Sequence, residues 1–498
     1  MRHPCGSDHI RAALAALLLA LAPAMAATAA DPPASSSAVD AAVRQGRWEE
    51  LRRRALEEAV LLDPSSARTI GALAAAGATD AALAAARRSA PALRTTLLLS
   101  VAEQATQLPP RRRLDIVGEA GQSASAAGVL AQIGAGNAIA VALAYAHLGD
   151  DTEARQAWQR ALAMAAATTP PVAASLVRRM AETSIGETTN ATPEWLLAGL
   201  SREVTLLAAG ADRGFAHLAL AQAWRQRGAQ AESLAQLEAA MSAGSSETRR
   251  ADRQLVLKAA ARIAVQWDMP EIALRQVDAD ALAIEFTAYH ARHRDRALAL
   301  KTLERIGSDG LYVSHRSSAM VAAVQETIAR GDAGEAAFYI ERFGELLPLT
   351  RVDLWVRLAR LQAEQGARDS TARTLTQALA VSPDTPDPHA SNRRDVATLL
   401  RLTRSLDELG RAAEARTAFA AAARQADYIS LRRNDERAMS RIALARFCTA
   451  RGDRRLAAAQ LRQAWLEFHS PLATRPLPAV DRADVLLAFA EASGELAR

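Results

Sequence analysis

The stretch YAHLGDDTEARQAWQRALAMA, Tyr145 to Ala165, decides how the rest of the chain is read. Helix formers flank a single glycine, Gly149, and no two residues in the stretch form a chemical pair. Glycine tolerates the left-handed backbone of a helix C-cap, so one helix ends at Gly149 and a second starts a few residues later. Counted from Gly149, small Ala154 is five residues on, Trp158 nine on, Ala161 twelve on, and Val141 eight before. The same register fits Gly228, with Leu220, Ser233, Leu237 and Ala240. It fits Gly366 with Leu358, Thr371, Leu375 and Ala378, and Gly410 with Leu402, Ala415, Phe419 and Ala422. It fits Gly452 with Leu444, Ala457, Leu461 and Ala464. Gly331 fits partly, with Ala336 and Ile340 but Phe343 in place of the last alanine. The small residue lets two helices approach, and the large residue with the last alanine packs on the next unit. One helix pair cannot bury its apolar side alone, so such pairs must stack.

Composition agrees. Half of the residues are hydrophobic but only 4% are aromatic, and no sustained alternation of Val, Ile and Thr suggests strands. The expected fold is all-α: an α-solenoid of stacked antiparallel helix pairs, roughly eleven to twelve of them from the repeat length.

The pattern resembles the tetratricopeptide repeat, which reads W-x2-L-G-x2-Y, then A-x3-F, then a closing proline. Its best unit here runs Trp355, Leu358, Ala359, Gly366, Leu375, Ala378, Pro383. Ala359 stands for the family's glycine, Gln362 for its tyrosine and Thr371 for its alanine. GRWEEL, Gly46 to Leu51, looks like the start of a further second helix, and the tail after Pro478 holds about one helix. The resemblance covers most of residues 40–470 and implies a TPR-like superhelix. It also implies that the first helix of each pair lines a concave groove that binds extended peptides or helices. Gly331 to Gly366 is 35 residues, Gly366 to Gly410 is 44, and Gly410 to Gly452 is 42. Gly149 to Gly228 is 79, which calls for an intervening pair without the glycine, within residues 172–208. Periods near 40 also suit HEAT-like pairs, and either reading gives an α-solenoid.

The N-terminus is a separate object. Arg2 and Arg11, an apolar run from Ala12 to Ala22, then Pro23 and Ala24-Met25-Ala26 have the layout of a secretory signal. Residues 1–26 are expected to be a cleaved signal peptide of an exported, periplasmic bacterial protein; an uncleaved N-terminal membrane anchor is the alternative. Residues 27–38 then form a flexible linker, 39–380 the main solenoid, 381–395 a Pro-rich loop, and 396–498 the C-terminal repeats with a final helix. VSPDTPDPHASNRRD, Val381 to Asp395, excludes helix through its three prolines. Gly134 to Gly136 reads as a helix break. No transmembrane segment is expected after signal cleavage.

Cys5 would leave with the signal, so Cys448 is alone and no internal disulfide is expected. The formal charge is +5 and the pI about 9.6, but Lys258 and Lys301 are the only lysines. Arginine raises the pI even when acids and bases nearly balance, so no nucleic-acid partner is expected. No phosphate-binding glycine loop, dinucleotide fingerprint or nucleophile elbow occurs. His290 and His293 lie one helical turn apart, without a third ligand and beside Arg292 and Arg294. Neither a metal, a cofactor nor catalysis is expected.

The residue six before the glycine would face the groove. In three C-terminal units it is Arg360, Arg404 and Arg446; elsewhere it is Leu143, Gln222 and Gln325. A row of arginines holds carboxylates through paired hydrogen bonds, so the expected guest is another protein or peptide with an acidic segment or a free C-terminus. Glu364, Asp407 and Glu408, one turn away, could instead pair with them. The expected role is a non-catalytic scaffold or adaptor, with a structural part of an envelope polysaccharide-secretion machine as the alternative.

Overall fold

The computed structural model describes residues 43, 45–126, 131–183, 185, 192–306, 312–383, 392–469 and 478–498. The expected signal peptide and linker, and residues 384–391 of the Pro-rich stretch, lie outside them. Among the described residues there are 24 α-helices, two short 3-10 turns and no strand.

After helical residues at 43 and 45, the first helix described over its length is α1 (Trp48–Leu62). Eleven pairs follow in chain order: α2 (Ala67–Ala75) with α3 (Thr79–Arg88), α4 (Pro91–Gln104) with α5 (Pro110–Ala124), α6 (Ala131–His147) with α7 (Asp151–Ala166), and α8 (Pro170–Thr183) with α9 (Glu194–Leu206). Next come α10 (Ala211–Gln226) with α11 (Gln230–Ser245), α12 (Arg250–Gln266) with α13 (Pro270–Leu274), α14 (Ala283–Arg292) with α15 (Arg296–Arg305), and α16 (Tyr312–Ala329) with α17 (Ala333–Arg342). The last three are α18 (Pro348–Glu364) with α19 (Arg368–Val381), α20 (Arg393–Glu408) with α21 (Ala412–Tyr428), and α22 (Asn434–Ala450) with α23 (Arg454–Phe468). α24 (Ala479–Ala497) ends the sequence. The pair called for between Gly149 and Gly228 is α8–α9.

Each even-numbered helix packs on the next even-numbered one, whereas odd-numbered helices make at most marginal contact with one another. Neighbours touch more closely on the shorter inside of a bend, so the even-numbered helices form the inner layer. The succession does not stop at α24. That helix packs on α22, on α2, and along its length on α1. Among the described residues the array is therefore a closed circuit of twelve pairs, the twelfth being α24 with α1.

The turn between paired helices has one chemistry. At Gly77, Gly149, Gly228, Gly331, Gly366, Gly410 and Gly452 the backbone is left-handed. The N–H of the following residue donates to the carbonyl five residues back, as from Asp150 to Tyr145, Ala367 to Gln362 and Asp453 to Cys448. This is the Schellman closure of a helix end. Where the next residue is Asp150, Asp332 or Asp453, its carboxylate caps the second helix. Two turns make the same closure without glycine: Asp268 (φ 63°) and Arg294 (φ 62°) hold the left-handed seat.

The register residues do what their sizes predict. Ala154, Ser233, Ala336, Thr371, Ala415 and Ala457 are buried between the two helices of a pair. Leu237, Ile340, Leu375 and Leu461 are buried as the large partners, and Phe343 fills the space that alanine leaves elsewhere. Neighbouring units are also stitched at their turns. The residue before the turn residue reaches back to the preceding unit: Arg227 Nη1 to the Thr192 carbonyl (2.8 Å), Arg330 Nη1 to that of Arg292 (2.7 Å), and Gln365 Nε2 to that of Gly331 (2.6 Å). The Arg292 carbonyl is one that a helix end leaves open; those of Thr192 and Gly331 lie in connecting segments.

Two local expectations are corrected. α6 runs unbroken through Gly134 and Gly136. A Cβ on Gly136 would meet only the Arg179 side chain of α8, at an ordinary contact distance of 3.4 Å, so the helix carries the glycine without breaking. α20 starts at Arg393, inside the stretch assigned to loop. Asn392 accepts from the Arg394 and Asp395 amides and Asp395 accepts from the Asn392 amide, a capping box that nucleates the helix before the stretch has ended.

Candidate binding groove on the inner helix layer

Arg357 and Arg360 lie three apart on α18, and Arg401 and Arg404 three apart on α20, so each pair shares one helix face. These faces, with Arg368 at the start of α19 and Glu408, line a groove of about 950 Å³. Five arginines and one glutamate is a strongly positive lining.

The arginines differ in how far they are already engaged. Asp353 accepts from Arg357 Nε (2.9 Å) and from Arg401 Nη2 (2.6 Å), tying the two helices together. Arg360 pairs with Glu364 at 3.1 Å, but the side chains are 81% and 62% exposed, so water competes for the contact. Arg404 and Arg368 have no ion pair among the described residues. Asp407, one turn from Arg404, accepts instead from Arg451 of the next unit at 3.1 Å.

Arg360 and Arg404 thus meet in one groove. Arg446 does not join them: its guanidinium holds Glu495 (2.5 Å) and Glu491 (3.4 Å) of α24, where the circuit closes. Arg357 and Arg401 belong to the site and the sequence reading missed them. Each stands nine residues before its glycine, so the repeat register already carried the signal.

Two further grooves open on the inner layer. One, of about 660 Å³, is mainly apolar, with Leu99, Val117, Ala140, Leu143, Ala144 and Leu148. The other, of about 410 Å³, spans the closure, with Arg52 and Leu56 from α1 and Leu487 and Glu491 from α24. Cys448 lies buried in α22, and burial pushes its thiol up to about 11. That is opposite to the activation a nucleophilic cysteine needs. His293 hydrogen-bonds Asp268 at 3.1 Å and packs its ring, tilted by 44°, against Tyr289.

No family pattern and no curated protein matches the chain. Among solved structures it is similar to Ton1535 from Thermococcus onnurineus NA1, at 14% identity over 80% of this chain and 98% of that one, with a TM-score of 0.28. It is similar to human IFIT1, solved as a dimer with m7Gppp-AAAA, at 13% identity over 86% and 95%, TM-score 0.23. It is also similar to the APC/C hetero-tetramer Cut9–Hcn1, at 12% identity over 90% and 95%, TM-score 0.21.

Proposed function

We propose that this protein is a non-catalytic helical-repeat scaffold of the bacterial periplasm that holds another protein by an acidic, extended segment. The observation that carries the reading is Arg404. It is an exposed guanidinium with no ion-pair partner among the described residues, set among Arg357, Arg360, Arg368 and Arg401 in a groove of about 950 Å³. A guanidinium that no neighbour neutralises, beside four others, favours carboxylates, and two parallel N–H donors add directional preference. Glu408 and the partners Asp353 and Glu364 moderate the field, so the groove selects several carboxylates together over a single anion.

Export rests on the leader-like layout of residues 1–26, and fractionation with N-terminal sequencing of the mature protein tests it. Binding is tested by titrating a labelled oligoglutamate peptide into the protein by fluorescence anisotropy. Arg404→Glu removes one attraction and adds one repulsion, and should weaken binding roughly ten-fold, an effect that shrinks as salt rises. Unchanged affinity in that variant, or no binding by the parent, removes the groove from consideration.

A further inference from the structure

We infer that α24 and α1 are the two halves of one ordinary repeat, cut at its turn, and that they act as a latch keeping the array shut as a ring. The pair runs antiparallel, as every other pair does: Gly494 lies against Arg52, while Arg482 near the other end of α24 faces Glu58 at 4.0 Å. Its neighbours sit in the parallel register of the inner layer, with Arg68 of α2 on Asp484 at 3.0 Å and Arg446 of α22 on Glu491 and Glu495. The apolar core runs across the junction without a gap. Leu51, Ala55 and Leu56 of α1 share one buried cluster with Leu486 and Phe489 of α24 and with Cys448 and Leu461 before them.

The turn itself is the decisive feature. In all nine turns closed as described above, one residue separates the end of the first helix from the left-handed residue, and one more separates that residue from the second helix. Glu408, Leu409, Gly410, Arg411, Ala412 is an instance. Ala497, Arg498, Gly46, Arg47, Trp48 has the same count, with Gly followed by Arg in both, although two of these residues come from one end of the sequence and three from the other. Gly46 has the left-handed backbone, with φ 69° against 74° at Gly410, and its own N–H donates to the Val43 carbonyl of the segment before it (3.3 Å). Leu496 and Ala497 line one cleft with Gly46, Arg47 and Trp48. After the turn, Arg47 pairs with Glu50 as Arg411 pairs with Glu414, again three residues on. Side-chain sizes are swapped within the pair, a departure from the register of the other units: large Leu51 stands five residues after Gly46 and small Ala55 nine after.

A latch of this kind fixes the bend of the inner layer. Twelve inner helices about 10 Å apart enclose an opening of roughly 25 Å once the helix radii are taken off. An extended peptide or a single helix of a partner passes through it, and a globular domain does not. The inference stands apart from the binding proposal, because it concerns closure alone.

The first test uses the full chain with Cys5→Ser, Cys448→Ser and the pair Arg47→Cys and Arg498→Cys, treated with a short bis-maleimide. Intramolecular cross-linking in native buffer should exceed that in denaturant at least roughly ten-fold, because the latch holds the two thiols at high effective concentration. Equal yields in both conditions overturn the inference. The second joins Arg498 directly to Gly46 without a linker and opens the chain within residues 384–391. A native-like helical spectrum with a cooperative transition supports the cut-turn reading. A collapse of helicity that a longer Arg498–Gly46 linker repairs overturns it, since the joint would then not be a repeat turn.

Discussion

Gly494, in the last helix, lies so close to Arg52, in the first, that a Cβ placed on it would sit 2.8 Å from Arg52 Cδ and 2.9 Å from Nε. The contact is between the two helices of the latch, and glycine is what permits it. Gly494→Val puts a branched side chain there and should cost about 1–3 kcal/mol, the usual range for overpacking. The obstructing atoms belong to a flexible side chain whose own ion pair, with Glu49, is long at 3.7 Å. Arg52→Ala should therefore be near neutral alone and should restore most of the loss in the double variant. Urea unfolding of the four proteins measures this as a coupling energy. Additive effects would mean that the two residues do not touch.

The two turns without glycine make a second prediction. A side chain in the left-handed region costs about 1 kcal/mol relative to glycine. Arg294 recovers little of that, since it is 71% exposed and only 3.9 Å from Asp332 at its nearest. Asp268 recovers more, by accepting from Arg292 at 2.7 Å and His293 at 3.1 Å. Arg294→Gly should stabilise by about 1 kcal/mol, whereas Asp268→Gly should gain nothing or lose. Urea midpoints of the two variants against the parent decide it, and the reverse order would show that the side-chain contacts do not matter.

Asp268 and Arg294 also show where the fold was legible in the sequence and where it was not. Glycine at a helix end is visible because backbone freedom belongs to the residue itself. The stretch between Gly228 and Gly331 hides two turns because Asp268 and Arg294 adopt the same conformation there, which neither residue type announces. The start of α1 was legible from GRWEEL, and a lone helix from the tail after Pro478. That the two belong to one repeat was not, because no spacing along the chain connects residues 46 and 498. At the groove, Arg360 and Arg404 followed from the register, and Arg357 and Arg401 would have followed from it one turn earlier. The diversion of Arg446 to Glu491 and Glu495 depends on ring closure, which only the three-dimensional arrangement reveals.

His217 gives the protein a defined acid sensitivity. It is 2% exposed, inside α10. Arg213 Nε points at its Nε2 (3.5 Å), which leaves Nδ1 to donate to Gln236 Oε1 (2.7 Å), so the ring is held neutral. Burial, and then the positive charge of Arg213, push its pKa below the ordinary 6.5, against the opposing pull of Gln236. As pH falls through 6.5 the unfolded chain takes up a proton that the folded chain refuses, so stability declines from there downward until the folded state protonates as well. Above that range the residue adds no pH dependence. His290, also pushed down by burial, contributes in the same direction. His217→Asn keeps a donor near Gln236 but cannot titrate. Its stability should fall less steeply than the parent's between about pH 6.5 and 5, even if it starts lower because of the smaller side chain. Urea midpoints of both proteins across that interval measure the two slopes, and parallel curves would show that His217 takes up its proton as readily in the folded chain as in the unfolded one.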